Sequence, residues 1–210
     1  MSLLKAPVMN RSPAADRIVS AAVTHFAHRG YDASSLADIA EAVGIRKASL
    51  YAHFDSKDDL YMQIFAEALR MEQDIAHQCF VSEESKTLPG LTYCTNLIAR
   101  YDESDYLKFL LRAGYMPPAV LAVPIYSGHE TYLAQLQEAF TGRLRAWTDT
   151  PDTLADEDVQ LYSHAYIGIV DSLQVKLVYT DTAHAAVRLT ALERMLSNAL
   201  ATAIKSGAVA

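Results

Sequence analysis

Residues 34–60 read SSLADIAEAVGIRKASLYAHFDSKDDL, and the fold is decided there. Ser35 is an N-cap residue, and Asp38 three positions on completes a capping box. Leu36, Ile39, Ala40 and Val43 then recur at i, i+3, i+4 and i+7, one apolar face of an amphipathic helix. Gly44 stands where that helix needs a left-handed residue to stop, and Ile45 is apolar enough to plug the corner. Residues 47–53 make a second, short helix that turns Leu50 and Phe54 inward and leaves Arg46, Lys47, Ala48, Ser49 and Tyr51 facing out. Ser56 with Asp59 is a second capping box and opens a longer helix. Two helices joined by a short glycine turn, the second basic and small-residued, form the pattern of a helix-turn-helix that reads DNA.

The same window resembles the DNA-binding signature of the tetracycline-repressor (TetR) family of bacterial regulators. The family pattern has Thr or Ser, then Ile-Ala, Ala-Gly-Val, a short helix ending Leu-Tyr-x-His/Tyr-Phe, and Ser-Lys-Glu/Asp before a leucine. Ile39-Ala40, Gly44-Ile45, Leu50-Tyr51, His53-Phe54, Ser56-Lys57-Asp58 and Leu60 stand in those places without a gap. The resemblance covers about the first third of the chain, reaching back through the helix before Gly30; the remainder matches in length and helical pattern only. Three positions depart from the family pattern. Val43 replaces the usual Ala, Ala48 replaces a common Gly, and Arg46 replaces a capping Ser or Thr. Arginine cannot accept the free amides of a helix start, which forgoes about 0.5–2 kcal/mol of capping. In return it sets a guanidinium suited to a phosphate or a guanine edge, or else simply a solvated charge.

Composition bounds the reading. The 210 residues are 51% hydrophobic with eight glycines and seven prolines, which suits a packed helical protein. We expect an all-α fold of about nine helices: a three-helix head at 1–55 that binds DNA, and a larger body at 56–210 for sensing and dimerisation. No apolar run approaches the ~20 residues of a membrane span and no charged-then-apolar signal is seen, so a cytoplasmic protein is expected. Cys79 and Cys94 sit inside amphipathic patterns without CxxC spacing; core thiols are the plain reading and a redox sensor the other. The net charge of −7 argues against nucleic acid only until its distribution is seen. Residues 1–60 hold seven Lys/Arg against seven Asp/Glu, and the other 150 residues hold 11 against 18. An acidic body discourages indiscriminate DNA binding and leaves contact to the patch of Arg46, Lys47 and Lys57.

Taken in order, residues 1–11 lack periodicity and suggest an arm whose Lys5 and Arg11 can reach a phosphate or the minor groove if it is ordered. Ser12-Pro13 starts a helix with two apolar rows, Ile18/Ala22/Phe26 and Val19/Val23/Ala27, that stops at Gly30. From Ser56 a long helix runs to about residue 80 with Leu60, Ile64, Ala68, Met71 and Ile75 in one stripe, the natural lever between head and body. A loop over 82–89 and helices around Leu91/Cys94/Ile98/Tyr101 and Tyr106/Phe109/Leu110/Ala113 follow. Pro117, Pro118 and Pro124 exclude a continuous helix over 116–128, with helix resuming at His129; residues 148–156 are a second loop. The last two helices carry more apolar surface than one protomer covers. Gly168 and Ser172 permit close approach, and Leu189, Leu192, Leu196, Ala199 and Ala203 make a packing seam. A four-helix bundle with a second copy buries such surface, making a homodimer.

Two short reading helices related by a twofold axis read a palindromic duplex site, where one supplies too few contacts. Arg46 and Lys47 are the candidates for base edges or nearby phosphates, and Ala48 and Ser49 permit close approach. Tyr51, His53, Ser34, Ser35 and Lys57 are the candidates for phosphates; Tyr51 and His53 have helix packing as their alternative. The resemblance further implies repression and a small-molecule effector pocket among the middle helices, whose occupancy releases DNA. Phe109, Tyr115, Met116, Tyr126, His129, Tyr132, Trp147, His164, Tyr166, Asp171 and Gln174 are its candidate lining, a mixture suited to a partly apolar ligand with a few hydrogen-bonding groups. An enzyme is not expected: no GxSxG, HExxH or glycine-rich phosphate loop occurs. His25 and His28 lack acidic or thiolate company in sequence, so no metal or cofactor is expected. A helical module that binds ligand or protein without DNA is the alternative, but it has no use for the outward Arg46, Lys47 and Ser49.

Overall fold

The structure, a computed structural model, describes residues 11–147 and 154–207. Among them are nine α-helices, one 3-10 turn and no strand: α1 Pro13–Arg29, α2 Leu36–Val43, α3 Lys47–Leu50, α4 Lys57–Ser82, α5 Leu91–Tyr101, α6 Asp105–Tyr115, α7 Ala122–Trp147, α8 Asp156–Tyr179 and α9 Thr182–Gly207, with the 3-10 turn at Ala119–Leu121. The all-α architecture is as expected. The arm over 1–10, with Lys5, and most of the loop expected at 148–156 lie outside the described residues. No single helix among the described residues is long and apolar enough to cross a membrane. The helices form two compact units, one of residues up to Asp74 with Glu103–His129, the other of Ile75–Asp102 with residues from Glu130 onward. A cut after residue 55 follows the three-helix head but would part α1 from α6, against which it packs.

In the first unit local bonds set the helix ends. The Ser12 hydroxyl accepts from the Ala15 amide at 3.2 Å, with Pro13 in the first helical position. Ser35 accepts from the Asp38 amide at 3.1 Å. Gly44, left-handed at φ 74°, donates to the Glu41 carbonyl and Ile45 to the Ala40 carbonyl, each at 3.0 Å, the paired bonds of a Schellman stop. The two apolar rows of α1 are buried, and Phe26 meets Tyr61 of α4 while Tyr61 meets Phe109 of α6, each edge-on at 4.9 Å between ring centroids. Two expectations change here. The α3 helix ends at Leu50, and residues 51–53 continue as turns. And α7 begins at Ala122, not His129, because Pro124 falls in its first turn, where a missing N–H has no intrahelical partner to lose.

The second unit is organised around a buried carboxylate. Glu83, just past α4, accepts from the amides of Gly90 at 3.0 Å and Thr92 at 2.9 Å and pairs with Arg143 of α7 at 3.0 Å. It thereby caps α5, whose own N-cap Gly90 has no side chain to do so. Gly90 is held at φ 76°, and the Tyr166 hydroxyl donates to its carbonyl at 3.0 Å. Tyr166 also stacks on Phe140, 4.1 Å between centroids. Neither cysteine forms a disulfide and both are buried, and burial pushes the Cys94 thiol up to about 12, as suits a packed rather than a reactive thiol.

A side chain at Gly90 meets two obstacles: a left-handed backbone, and the Tyr166 ring 2.3 Å from where a Cβ would stand. Gly90→Ala is expected to lower unfolding stability by about 2–4 kcal/mol. Gly142 sits inside α7 with open space at its Cβ position, so Gly142→Ala should raise stability by about 0.5–1 kcal/mol. Thermal or urea unfolding of the two variants reads both numbers.

Candidate nucleic-acid interface

The α3 helix is one turn long and presents two unlike faces. Leu50 is 0% exposed and Phe54 2%, both in the core with α1, α2, α4 and α6 residues. Arg46, Lys47, Ala48, Ser49, Tyr51 and His53 are exposed, Tyr51 by 49%. Arg46 is the N-cap and makes no side-chain capping bond, as arginine must; its carbonyl accepts from the Ser49 amide at 2.8 Å. The Lys47 ammonium lies 6.0 Å from the Tyr51 ring centroid, at the outer limit of a cation–π contact, and so keeps its freedom to reach outward. Ser35, exposed, uses its hydroxyl as the α2 cap. Lys57 is half-buried at the start of α4 with its ammonium on the Tyr31 ring.

Two proposed backbone contacts are corrected by this geometry. Ser34 is 1% exposed, and its hydroxyl donates to the Gly30 carbonyl at 2.8 Å; it ties the end of α1 to the start of α2 and offers nothing to a phosphate. Arg11 pairs with Glu67 of α4, with little of either side chain left exposed, so it belongs to the head and not to a reaching arm. Tyr31 reads from the sequence as a packing residue, and it does pack on Phe26 and Tyr61; its contacts with Lys57 and Asp58 are what the sequence did not point to. Its signal was available only as an aromatic side chain one residue after a helix-ending glycine.

The eleven candidate effector residues divide between the two compact units. Phe109 is core, packed on Phe26 and Tyr61. Tyr115 stands edge-on to buried His129, 5.5 Å between centroids, and Met116 and Tyr126 are exposed. These belong to the first unit and the other six to the second. There Tyr132 hydrogen-bonds the Tyr93 hydroxyl and accepts from Gln174 at 3.2 Å, all three buried. Tyr166 is engaged with Gly90 and Phe140 as described. His164 is exposed, 3.5 Å from the Gln137 amide, while Trp147 and Asp171 are half-buried. Among the described residues no group of three or more His, Cys, Asp or Glu side chains could hold a metal ion.

The terminal helices also sort differently from their periodicity. Leu196 is buried within its own unit, lining a small cavity with Leu189, Leu91 and Tyr166, so it cannot face a second copy. Leu189, Leu192, Ala199 and Ala203 are half-buried, as is Ser172, which accepts from Arg188 at 2.8 Å. The exposed rows are Leu161, Ala165 and Gly168 on α8 and Val187, Ala191 and Met195 on α9, with Leu161 60% and Met195 68% exposed. The α9 row repeats at i, i+4, i+8 and is as regular as the seam that turns inward; periodicity alone does not choose between them.

Residues 18–64 match the sequence model described as bacterial regulatory proteins, tetR family. The biofilm operon icaADBC HTH-type negative transcriptional regulator IcaR of Staphylococcus aureus is 54% identical over 48 residues, 23% of this chain and 26% of that protein. The chain thus matches about a quarter of the length of that curated relative. The likeness in fold is broader. A putative TetR-family transcriptional regulator from Mesorhizobium loti has a TM-score of 0.64 at 18% identity, covering 93% of this chain and 98% of that one. The fatty acid degradation regulator FadR from Bacillus halodurans has 0.64 at 21% identity, covering 88% and 96%.

Leu50→Ala removes the one buried anchor within α3 and is expected to lower stability by about 2–5 kcal/mol. Lys47→Ala, on the exposed face, should stay within about 0.5 kcal/mol of the unmodified protein. Urea unfolding of both variants distinguishes a helix held by its anchor from one that stands by itself.

Proposed function

We propose, from the match of residues 18–64 to the sequence model of tetR-family bacterial regulatory proteins, that the chain is a cytoplasmic transcriptional repressor. In this reading it binds a palindromic operator as a homodimer and is released by a small-molecule effector. The observation that carries the reading is the outward set Arg46, Lys47, Ala48 and Ser49 on a one-turn helix whose fourth residue, Leu50, is fully buried. A guanidinium and an ammonium flanking two small residues suit close approach to base edges, with an alanine methyl able to meet a thymine methyl. Tyr51, His53, Ser35 and Lys57 would then reach phosphates, which fix register without reading sequence. The division of labour is a DNA-binding segment at 1–55 and sensing and pairing residues at 56–210, α4 contributing residues to both compact units. Regulators of this family are in general not enzymes, and no reaction is assigned to the chain.

Pairing is the second element. The exposed rows led by Leu161 on α8 and by Val187 and Met195 on α9, with Gly168 between bulkier neighbours, support a twofold contact through these helices. Two heads are needed because one short helix offers too few base contacts for specific binding.

Selection of binding fragments from a random duplex pool should return a palindrome with half-sites about one helical turn apart. On that fragment Lys47→Ala should weaken binding at least tenfold in a mobility-shift titration; unchanged affinity removes Lys47 from the interface. Met195→Glu should give monomers in sedimentation velocity and lose operator binding with them. A pool that returns no enriched fragment favours a helical ligand- or protein-binding module instead.

A further inference from the structure

Two acids follow Lys57 at the start of α4, Asp58 and Asp59. An anion beside a cation that is to meet DNA repels the phosphates the cation attracts. Both acids are engaged by bonds within the head. Asp59 accepts from the Asp55 amide and from the Gln63 side-chain amide, each at 3.0 Å. Asp58 accepts from the Tyr31 hydroxyl. The same tyrosine carries the Lys57 ammonium 3.8 Å from its ring centroid, well within the roughly 6 Å reach of a cation–π contact. Tyr31 is itself fixed by Phe26, stacked at 6.3 Å, and by Tyr61, edge-on at 5.3 Å. Burial, and then the bond to Asp58, push its phenol up to about 12, so it remains a donor wherever DNA binding is measured.

We propose that Tyr31 is a positioning residue for DNA binding, holding the Lys57 cation toward the phosphate backbone while withdrawing the Asp58 carboxylate from it. This rests on the DNA-binding reading above. A ring face suits the task better than a carboxylate partner. It orients an ammonium without neutralising it, so the cation reaches a phosphate with its charge, and its power to release counterions, intact. The two actions use different parts of one side chain: the ring serves Lys57 and the hydroxyl serves Asp58. Phenylalanine keeps the first and loses the second; leucine loses both.

The test is a titration of the selected operator at several salt concentrations with the full chain. Tyr31→Leu and Lys57→Gln should each reduce the slope of log affinity against log salt by about 0.9, the share of one phosphate. The double variant should lose no more than either alone. Tyr31→Phe should leave the ring contact and weaken binding severalfold, and adding Asp58→Asn should restore it. Losses of Tyr31→Leu and Lys57→Gln that multiply in the double variant, or a Tyr31→Leu slope equal to that of the unmodified protein, overturn the proposal and leave Tyr31 a packing residue. Should Tyr31→Leu fail to fold, the phenylalanine pair decides: a Tyr31→Phe variant that binds normally, or that Asp58→Asn does not rescue, overturns it. An unmodified protein without salt-dependent binding to any fragment overturns the DNA-binding reading itself, a result distinct from those of the variants.

Discussion

A helix of four residues has no stability of its own in water, since its first turn costs more order than its few hydrogen bonds return. The α3 helix exists because Leu50 is wholly buried and Phe54 nearly so, within a core shared with α1, α2, α4 and α6. That burial does more than stabilise. It fixes which side of the turn is covered, and so it fixes that Arg46, Lys47, Ala48 and Ser49 are not. The absence of a capping bond at Arg46 is tolerable for the same reason: tertiary anchoring replaces what the cap would have supplied.

The anchor is only as firm as the floor beneath it, and that floor is aromatic. Phe26, Tyr61 and Phe109 come from three helices and meet at ring distances typical of edge-on pairs. At its rim Tyr31 joins the cluster, meeting Lys57 with its ring face and Asp58 with its hydroxyl. Beside it, the Thr24 hydroxyl and the His28 ring reach Asp105 at 2.7 and 2.9 Å, tying α1 to the first residue of α6. The head is therefore not three helices alone; α6 is part of what gives α1 its position.

The second unit solves a different problem, that of buried polarity. Glu83 has none of its side chain exposed, and such a carboxylate is tolerable only when its oxygens are filled. Two backbone amides and Arg143 fill them, and in doing so they join the end of α4, the start of α5 and α7. Tyr93, Tyr132 and Gln174 satisfy one another in the same way. Polar groups so engaged are part of the scaffold as the chain stands, which is why a roster of aromatic and polar residues does not by itself outline a binding cavity.

What the amino-acid order determined was everything governed by bonds between near neighbours. Ser12-Pro13, Ser35 with Asp38, Gly44 and Ser56 with Asp59 set helix ends that can be read from the chain, because a cap and its amide lie three residues apart. The outward face of α3 was legible too, since apolar spacing marks its inward residues. Tertiary structure decided which of two adjacent serines faces water, turning Ser34 onto the Gly30 carbonyl and leaving Ser35 outside. It likewise sent Phe109 into the head, Arg11 onto Glu67, and Leu196 inward while Met195 stayed exposed. In each case the outcome depends on a partner brought close by the fold rather than by the chain, and spacing along one helix carries no information about which of its faces that partner will cover.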